Sequence, residues 1–373
     1  MIKMTYTKDI DTLKNRYLAL FDIDAIEAEI QNKNLGQYLT HNVEEYILGD
    51  FRFLADAFET FVAANVSQDK IDMLSDAFDY TYYHDKLAAF FMDPQNGFNL
   101  KTCHYCNTAY INSYGWHNTY GSVLEFINHA TEGEWRLKFD KNKLSELNLQ
   151  RILEDRKTSL FTSEAAFDSK RYLSHRIGTY KCLTINVEAN HFDLDHVLPK
   201  SKCPLVALSL FNFVPSCQVC NEKLKGAHTL GTTKQDWIKL SPTDVDYSFD
   251  RDVDLKLVTD GSCTTFFDTR KANAAYRIEF DTSRERVYDK SIDLFRLRDR
   301  YNFHKQIALR ILDLKERYAD GKISEISRIL SANFDTENEG KYTKSQIYDD
   351  IFNVSQIKNQ CFYKLIKDMI ERN

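Results

Sequence analysis

The fold is decided by the stretch between residues 192 and 226. It reads Phe192-Asp-Leu-Asp-His-Val-Leu-Pro-Lys-Ser-Lys-Cys-Pro204 and, three residues later, Leu208-Ser-Leu-Phe-Asn-Phe-Val-Pro-Ser-Cys-Gln-Val-Cys-Asn-Glu-Lys-Leu-Lys-Gly226. Phe192 and Leu194 alternate with acidic residues up to His196, and this period of two predicts a strand. Because successive strand residues point to opposite faces, Asp195 and His196 can address one ligand only if the strand ends there. Pro199 and the polar residues after it predict a loop at that point.

Two Cys-x-x-Cys pairs, Cys103-His-Tyr-Cys106 and Cys217-Gln-Val-Cys220, lie 110 residues apart. Each pair presents two thiolates from one turn, and two pairs complete the four-sulfur shell of a structural zinc. The intervening chain must then fold back to bring them together. His104 lies inside one pair, and because four thiolates leave no vacancy, we expect it to be an exposed turn residue.

Other chemistries of such cysteines fit less well. A thioredoxin-type pair opens a helix in a βαβ unit, and neither pair has that setting. Zinc deaminases combine Pro-Cys-x-x-Cys with His-x-Glu, but Ser216 separates Pro215 from Cys217, and no His-x-Glu occurs. The sequence also has no Gly-x-Ser-x-Gly elbow and no glycine-rich phosphate loop.

Residues 192 to 226 resemble the HNH, or ββα-metal, endonuclease family. The matches are an Asp-His pair ending a strand, a proline in the following turn, the central Asn212 and a Cys-Asn run that opens a helix. The pair at Cys103 extends the resemblance to the zinc-stapled subtype. Asn221 stands at the family's last His position, an accepted variant. The resemblance implies an α+β fold with a central ββα-metal domain.

The resemblance also implies roles for individual residues. His196 would be the general base, since histidine titrates near neutrality. Asp195 and Asn221 would supply oxygen ligands to one Mg²⁺ or Mn²⁺. Asn212 would fix the loop through hydrogen bonds without binding metal. Asp193, on the same face as Asp195, is a supporting carboxylate or an alternative ligand.

Basic residues flank this region. Four lysines are expected to contact substrate phosphates or, equally, to form a solvated rim: Lys200, Lys202, Lys223 and Lys225. A second group on one C-terminal helix is expected mainly to face solvent: Arg296, Arg298, Arg300, His304, Lys305 and Arg310. That helix is similar to the segment after the HNH core in Septu- and retron-linked (PtuB-like) nucleases of bacterial antiphage defence. The similarity implies an antiphage role and a protein partner of the ATPase type.

Composition sets outer limits. The 373 residues are 43% hydrophobic, which is ample for a buried core. Residues 1 to 100 hold 8 basic and 17 acidic side chains, and the chain has a net charge of −6, which argues against a free-standing, nonspecific nucleic-acid binder. With no apolar run of membrane-spanning length and no apolar signal core, we expect a cytoplasmic protein without membrane contact.

Periodicity predicts an acidic helical module at 1–95, a central part at 96–240 with an insertion at 141–180, and a small sheet plus a helical module at 241–373. The resemblance implies that the part at 96–240 is the nuclease domain with the zinc-binding cysteines. The acidic module is a reasonable docking surface for a partner. Strands are predicted around Trp135, Leu137 and Phe139, around Leu183, Ile185 and Val187, and around Val253–Leu257 and Tyr276–Phe280. Late helices are predicted from Leu294 through Leu297 and Tyr301, and around Ile357, Cys361, Leu365 and Met369.

Three functions remain open. The first is a metal-dependent endonuclease acting on DNA. The second is the same chemistry on RNA, such as tRNA, since nothing in the motif reads a 2′-hydroxyl. The third is a catalytically inactive, zinc-stabilised nucleic-acid-binding module.

Overall fold

A computed structural model describes residues 1–6, 9–98, 100–139, 142–180, 184–262, 274–333, 344–352 and 360–372. The chain divides into two compact units, one formed by Met1–Asn112 with His191–Asn373 and the other by Ser113–Asn190. Helices predominate, and the strands described form three separate two-stranded antiparallel sheets. Across these described ranges, no helix is long and apolar enough to cross a bilayer.

The first unit opens with helices, as the spacing of apolar residues predicts. They are α1 (Ile10–Leu18), α2 (Ile23–Asn32), α3 (Val43–Leu48), α4 (Phe51–Ala63), α5 (Gln68–Ala77) and α6 (Tyr80–Met92). Part of the acidic excess caps these helices, because the side chains of Asp9, Asp22, Asp50 and Asp79 each accept a backbone N–H of the first turn. Acidity in this segment therefore has a structural use.

A ββα element lies at the centre of the first unit. Strands β3 (Asp193–His196) and β4 (Phe213–Ser216) are antiparallel, with His196 opposite Phe213. Strand β3 ends at His196, which confirms the predicted strand end. A seven-residue π-helix, Val219–Lys225, follows the second strand. Gly226 ends it at a φ of +50°, a conformation that favours glycine.

The remainder of the first unit contains the predicted small sheet, β5 (Asp254–Thr259) with β6 (Tyr276–Asp281). Its helices are α11 (Lys234–Leu240), α12 (Phe249–Asp252), α13 (Tyr288–Leu294), α14 (Leu297–Phe303), α15 (Gln306–Arg317), α16 (Asp320–Asn333), α17 (Lys344–Phe352) and α18 (Tyr363–Arg372). The prediction of one helix from Leu294 through Tyr301 is wrong, because Arg296 has a φ of +51° and interrupts it. Ile357 lies outside the described residues.

The second unit has its own aromatic core. Strands β1 (Ser113–Thr119) and β2 (Thr184–Asn190) pair, and between them lie α7 (Val123–His129), α8 (Glu132–Lys138), α9 (Glu146–Thr158) and α10 (Glu164–Ser169). The strand predicted around Trp135 is wrong, since a capping box between Thr131 and Glu134 starts α8 there. The strand predicted around Ile185 is confirmed, although Leu183 lies outside the described residues. The predicted insertion, 141–180, falls within this unit.

The N-terminal helices pack directly on the ββα element. The Tyr17 hydroxyl of α1 donates to the Leu208 carbonyl at 3.0 Å. The Ser209 hydroxyl donates to the carbonyl of Tyr46 in α3. On α4, Phe58 makes an edge-to-face contact with Trp237 at 5.2 Å between ring centroids. The first two of these contacts hold the loop between β3 and β4, and the third holds α4 against α11.

Candidate metal centre and active site

The four cysteines of the two Cys-x-x-Cys pairs come together. The sulfurs of Cys103, Cys106, Cys217 and Cys220 all lie within 4.8 Å of one another. A tetrahedral zinc with Zn–S bonds of about 2.3 Å separates its sulfurs by about 3.8 Å, so the cluster has the right size. The predicted convergence is confirmed, and this site can hold a metal ion such as zinc.

Donors from outside the pairs surround these sulfurs. The backbone N–H and hydroxyl of Thr108 lie 3.4 and 3.2 Å from the Cys106 sulfur. The Arg300 guanidinium, on α14, donates to the Cys220 sulfur at 3.3 Å and to the Thr108 hydroxyl at 2.8 Å. Burial lowers the pKa of Arg300, but the negative charges of Cys106 and Cys220 outweigh it and raise that pKa. Arg300 therefore faces the cluster, which corrects its assignment to a solvent-facing row.

His104 differs from its prediction as an exposed turn residue. It is buried, and its Nδ1 lies 3.1 Å from the Ile2 carbonyl oxygen. The Ile2 N–H in turn donates to the His104 carbonyl at 2.8 Å. The first pair is thus covered by another stretch of chain, a long-range contact that local sequence does not reveal.

His196 is held from three sides. Its ring lies between Tyr80 and Phe213, with centroid distances of 4.7 and 4.8 Å. Its Nε2 lies 2.9 Å from the Ala207 carbonyl oxygen. A carbonyl can only accept, so Nε2 carries the proton and Nδ1 is the unprotonated nitrogen of the neutral ring. Burial lowers the pKa of His196 to about 3, against the effect of the Ala207 hydrogen bond.

Asp195 is engaged inside the protein. Its Oδ2 accepts the Tyr105 hydroxyl at 2.6 Å, and its Oδ1 accepts the Lys225 ammonium at 3.1 Å. Burial raises the pKa of Asp195 to about 6, although Lys225 and Tyr105 act in the opposite direction. Lys225 also donates to the His196 carbonyl at 2.6 Å. Lys225 is therefore buried beneath the site, which corrects its prediction as an exposed phosphate contact.

Asn221 lies next to Asp193. The Asn221 Nδ2 donates to the Asp193 Oδ2 at 3.3 Å, and both side chains are half-buried. Burial raises the pKa of Asp193, while the Asn221 hydrogen bond opposes it. The second Asp193 oxygen and Asn221 Oδ1 remain as neighbouring oxygen donors, the type that Mg²⁺ and Mn²⁺ prefer. Both oxygens of Asp195 accept hydrogen bonds from Tyr105 and Lys225, whereas Asp193 is hydrogen-bonded to Asn221 through one oxygen. Asp193, named above as an alternative ligand, is therefore the carboxylate that lies next to Asn221.

Asn212 closes the loop between β3 and β4. It is completely buried; its Oδ1 accepts the Leu198 N–H at 2.8 Å, and its Nδ2 donates to the carbonyls of Leu198 and Val206 at 3.0 and 2.9 Å. These bonds match the loop-fixing role that the resemblance implies. They also fix the position of the adjacent Ala207, whose carbonyl orients His196.

The exposed surface beside His196 is electrostatically two-sided. Lys200, Lys202 and Lys223 are exposed, and the Lys200 ammonium lies 5.1 Å from the centroid of the Tyr80 ring. A groove of about 650 Å³ runs past Tyr80 and Lys200 toward α2 and α5. Its other residues include Glu29, Asp72, Asp76 and Asp79, together with Lys33, which pairs with Glu29 at 2.8 Å and with Asp76 at 3.2 Å. The groove therefore keeps an acidic excess that Lys33 partly neutralises, and a polyanion is favoured on the Lys200 side.

Sequence reasoning missed two side chains that contact the site, Tyr80 and Tyr105, and gave Arg300 a solvent-facing role. Tyr105 lies inside the first Cys-x-x-Cys pair, whereas Tyr80 is far away in sequence and carries no local signal. The chain was compared with family models, with curated proteins and with solved structures, and none of the three comparisons found a match.

Proposed function

We propose that this chain is an HNH-type endonuclease that hydrolyses phosphodiester bonds, with His196 as the general base. One observation carries the proposal. His196 ends strand β3, and its Nε2 donates a hydrogen bond to the Ala207 carbonyl, which leaves Nδ1 unprotonated. In-line attack on phosphorus needs a group that takes a proton from water. A neutral, fixed imidazole can do this.

The protein's own groups prepare that step. The Ala207 carbonyl holds one edge of the ring and Phe213 packs against it, which limits the orientations of Nδ1 before the substrate binds. Burial keeps the imidazole neutral without substrate, and the negative charge of a bound phosphate favours protonation during the attack. The Ala207 carbonyl continues to accept the hydrogen bond from the Nε2–H of the imidazolium that forms.

Asp193 and Asn221 would hold a single Mg²⁺ or Mn²⁺. When bound, such a cation neutralises the negative charge that develops on the phosphate. This ligand pair replaces the earlier hypothesis of Asp195 with Asn221, because Tyr105 and Lys225 already engage both Asp195 oxygens. The four cysteines would hold a structural zinc next to the π-helix that carries Asn221.

The proposed substrate is nucleic acid, with DNA favoured and RNA as the alternative. Lys200, Lys202 and Lys223 would contact phosphates, since they are exposed and follow His196 or Asn221 closely in sequence. The acidic excess of the groove lining, of which Asp72 is part, would disfavour the phosphate backbone from the other direction. An antiphage role and an ATPase partner rest on the sequence resemblance alone.

The test is a cleavage assay with the purified full chain. Labelled duplex DNA, single-stranded DNA and tRNA are incubated with Mg²⁺, with Mn²⁺ or with EDTA. We expect cleavage that needs the divalent cation and disappears in His196→Gln, whose longer side chain places an amide donor near the Nε2 position, toward Ala207, but has no basic nitrogen. His129→Ala, at an exposed histidine of the second unit, is the control.

The outcomes are distinct. Cleavage of tRNA without cleavage of either DNA would identify the RNA enzyme. Binding without cleavage, unaffected by Mg²⁺ and by Asp193→Asn, would identify the inactive binding module. Undiminished cleavage by a folded His196→Gln would contradict the assignment of the base.

A further inference from the structure

We propose that Tyr80, from the N-terminal helix α6, is a positioning residue of this site. Its ring would hold the imidazole of His196 and the ammonium of Lys200 in the arrangement that the reaction needs. The inference rests on the proposed function and adds a residue outside the ββα element. It makes the acidic N-terminal helices part of the reaction centre.

The first step of the argument is the contact with His196. Tyr80 packs edge-to-face on the imidazole, with 4.7 Å between centroids and 71° between ring planes. It also stacks on Phe213 at 5.9 Å and 29°. The hydrogen bond to Ala207 fixes one edge of the imidazole, but a single bond still allows the ring to tilt. Tyr80 and Phe213 together remove that freedom.

The second step is the contact with Lys200. This lysine is exposed on the loop after β3, where a long side chain ordinarily samples many rotamers. Its ammonium lies over the Tyr80 ring, 5.1 Å from the centroid, a cation–π geometry. Tyr80 therefore restrains an exposed cation on the same ring that packs against His196, where that cation could contact a phosphate.

The third step is the way α6 fixes Tyr80 itself. Asp79 caps the helix by accepting the Tyr82 N–H at 3.0 Å, and Tyr80 is the first residue of that helix. Farther along, Leu87 and Phe91 are buried in the core of the first unit. The ring thus projects from an anchored helix start. Its contacts with His196, Phe213 and Lys200 all involve the aromatic ring, so a phenylalanine at this position should preserve them.

The experiment measures steady-state cleavage by the full-length, zinc-containing protein on the substrate that the activity assay identifies. Tyr80→Leu should lower kcat by about tenfold or more, because small misplacement of a catalytic group is costly. It should also raise KM severalfold. Tyr80→Phe should restore both constants to within about twofold of wild type. Lys200→Met should raise KM and leave kcat nearly unchanged.

The double variant Tyr80→Leu/Lys200→Met separates the two contacts. Its KM should not exceed that of Lys200→Met alone, since the lysine through which Tyr80 affects binding is already gone. Its kcat should equal that of Tyr80→Leu. Tyr82→Leu is the matched control, because Tyr82 lies on the same helix and is 61% exposed. Melting temperature and zinc content are measured for every variant, and Tyr80→Met replaces Tyr80→Leu if the latter melts early.

Each failure has its own signature. A well-folded ring-less Tyr80 variant with unchanged kcat would overturn the inference while leaving the nuclease intact. So would a Tyr80→Phe variant as impaired as Tyr80→Leu. Additive KM effects in the double variant would overturn the link to Lys200. No cleavage by the wild-type protein with any metal or substrate would overturn the proposed function, and the inference with it.

Discussion

The ammonium of Lys225 lies 3.1 Å from Oδ1 of Asp195, and both side chains are buried. A charge left alone in such a place is costly, whereas a matched apolar pair often is not. Lys225→Met should therefore lower the free energy of unfolding by about 3 kcal/mol. Lys225→Met/Asp195→Leu should recover much of that loss. Urea denaturation followed by circular dichroism measures both.

Lys223→Met supplies the control for this pair, because Lys223 is exposed on the same π-helix. It should change stability by no more than about 0.5 kcal/mol. If Lys225→Met were equally harmless, the ion pair would not hold the ββα element together. Asp195→Ala is consequently a poor test of catalysis, because it also removes the ion-pair partner of the buried Lys225. Asp193→Asn tests the proposed metal ligand without leaving a buried charge unpaired.

Asn212 should be intolerant of a nearly isosteric change. Asn212→Asp keeps the acceptor for Leu198 N–H but turns an oxygen toward the carbonyls of Leu198 and Val206. Loss of two buried hydrogen bonds and acceptor–acceptor repulsion should lower the free energy of unfolding by about 3 kcal/mol. Thermal or urea unfolding measures this. Asn15→Asp, at an exposed position of α1, should have little effect, and equal losses at both sites would contradict the role given to Asn212.

The metal centre should depend on Arg300. Mass spectrometry of the native protein should find one zinc per chain, and Cys220→Ser should lose it, whereas Cys361→Ser, outside the cluster, should keep it. A zinc with four thiolates carries a net negative charge, which Arg300 offsets at 3.3 Å from the Cys220 sulfur. Arg300→Gln should therefore release zinc to a chelator about tenfold faster.

Arg310→Gln controls for the loss of a positive charge, because Arg310 is exposed on α15. Equal release rates in the two arginine variants would mean that Arg300 does not support the cluster. The measurement needs only a colorimetric chelator and does not depend on any enzymatic activity.

The candidate site shows what local sequence can predict. The spacing within each Cys-x-x-Cys pair and the end of β3 at His196 follow from short-range sequence, whereas the loop-closing role of Asn212 was implied by the resemblance to a known family. Lys225 looked like a rim lysine because charged residues are usually exposed. Its burial depends on Asp195 and Tyr105, which lie 30 and 120 residues away along the chain. Such pairings exist only after folding.

The errors in secondary structure have similar causes. Alternating Trp135, Leu137 and Phe139 favoured a strand, but the capping box at Thr131 decided for a helix. Arg296 adopts a positive φ, which an arginine in the sequence does not indicate. It therefore interrupts a helix that the spacing of apolar residues predicts to be continuous. Tyr80 lies in the acidic helical segment, where no sequence motif indicates a catalytic or binding role. Only its 4.7 Å contact with His196 gives it a role.

Acid should weaken the protein through Asp236, which caps α11. Its Oδ2 accepts Lys290 Nζ at 2.7 Å and the N–H groups of Thr232 and Thr233 at 2.9 and 3.0 Å. Burial raises the pKa of Asp236, but these hydrogen bonds outweigh it and lower the pKa to about 2. An unfolded aspartate titrates near about 3.9. The depressed value means that this stabilisation is complete above about pH 4 and is lost as the pH falls toward 2.

Asp236→Asn should therefore lower the free energy of unfolding by about 2 kcal/mol at pH 7, and the difference from wild type should shrink between about pH 4 and pH 2. Urea titrations at a series of pH values measure this difference. Asp69→Asn, at an exposed position of α5, is the control. A gap between wild type and Asp236→Asn that stayed constant down to pH 2 would show that the Asp236 carboxylate gains nothing from its charge. The stabilisation would then come from contacts that do not depend on the charge and that the asparagine fails to reproduce.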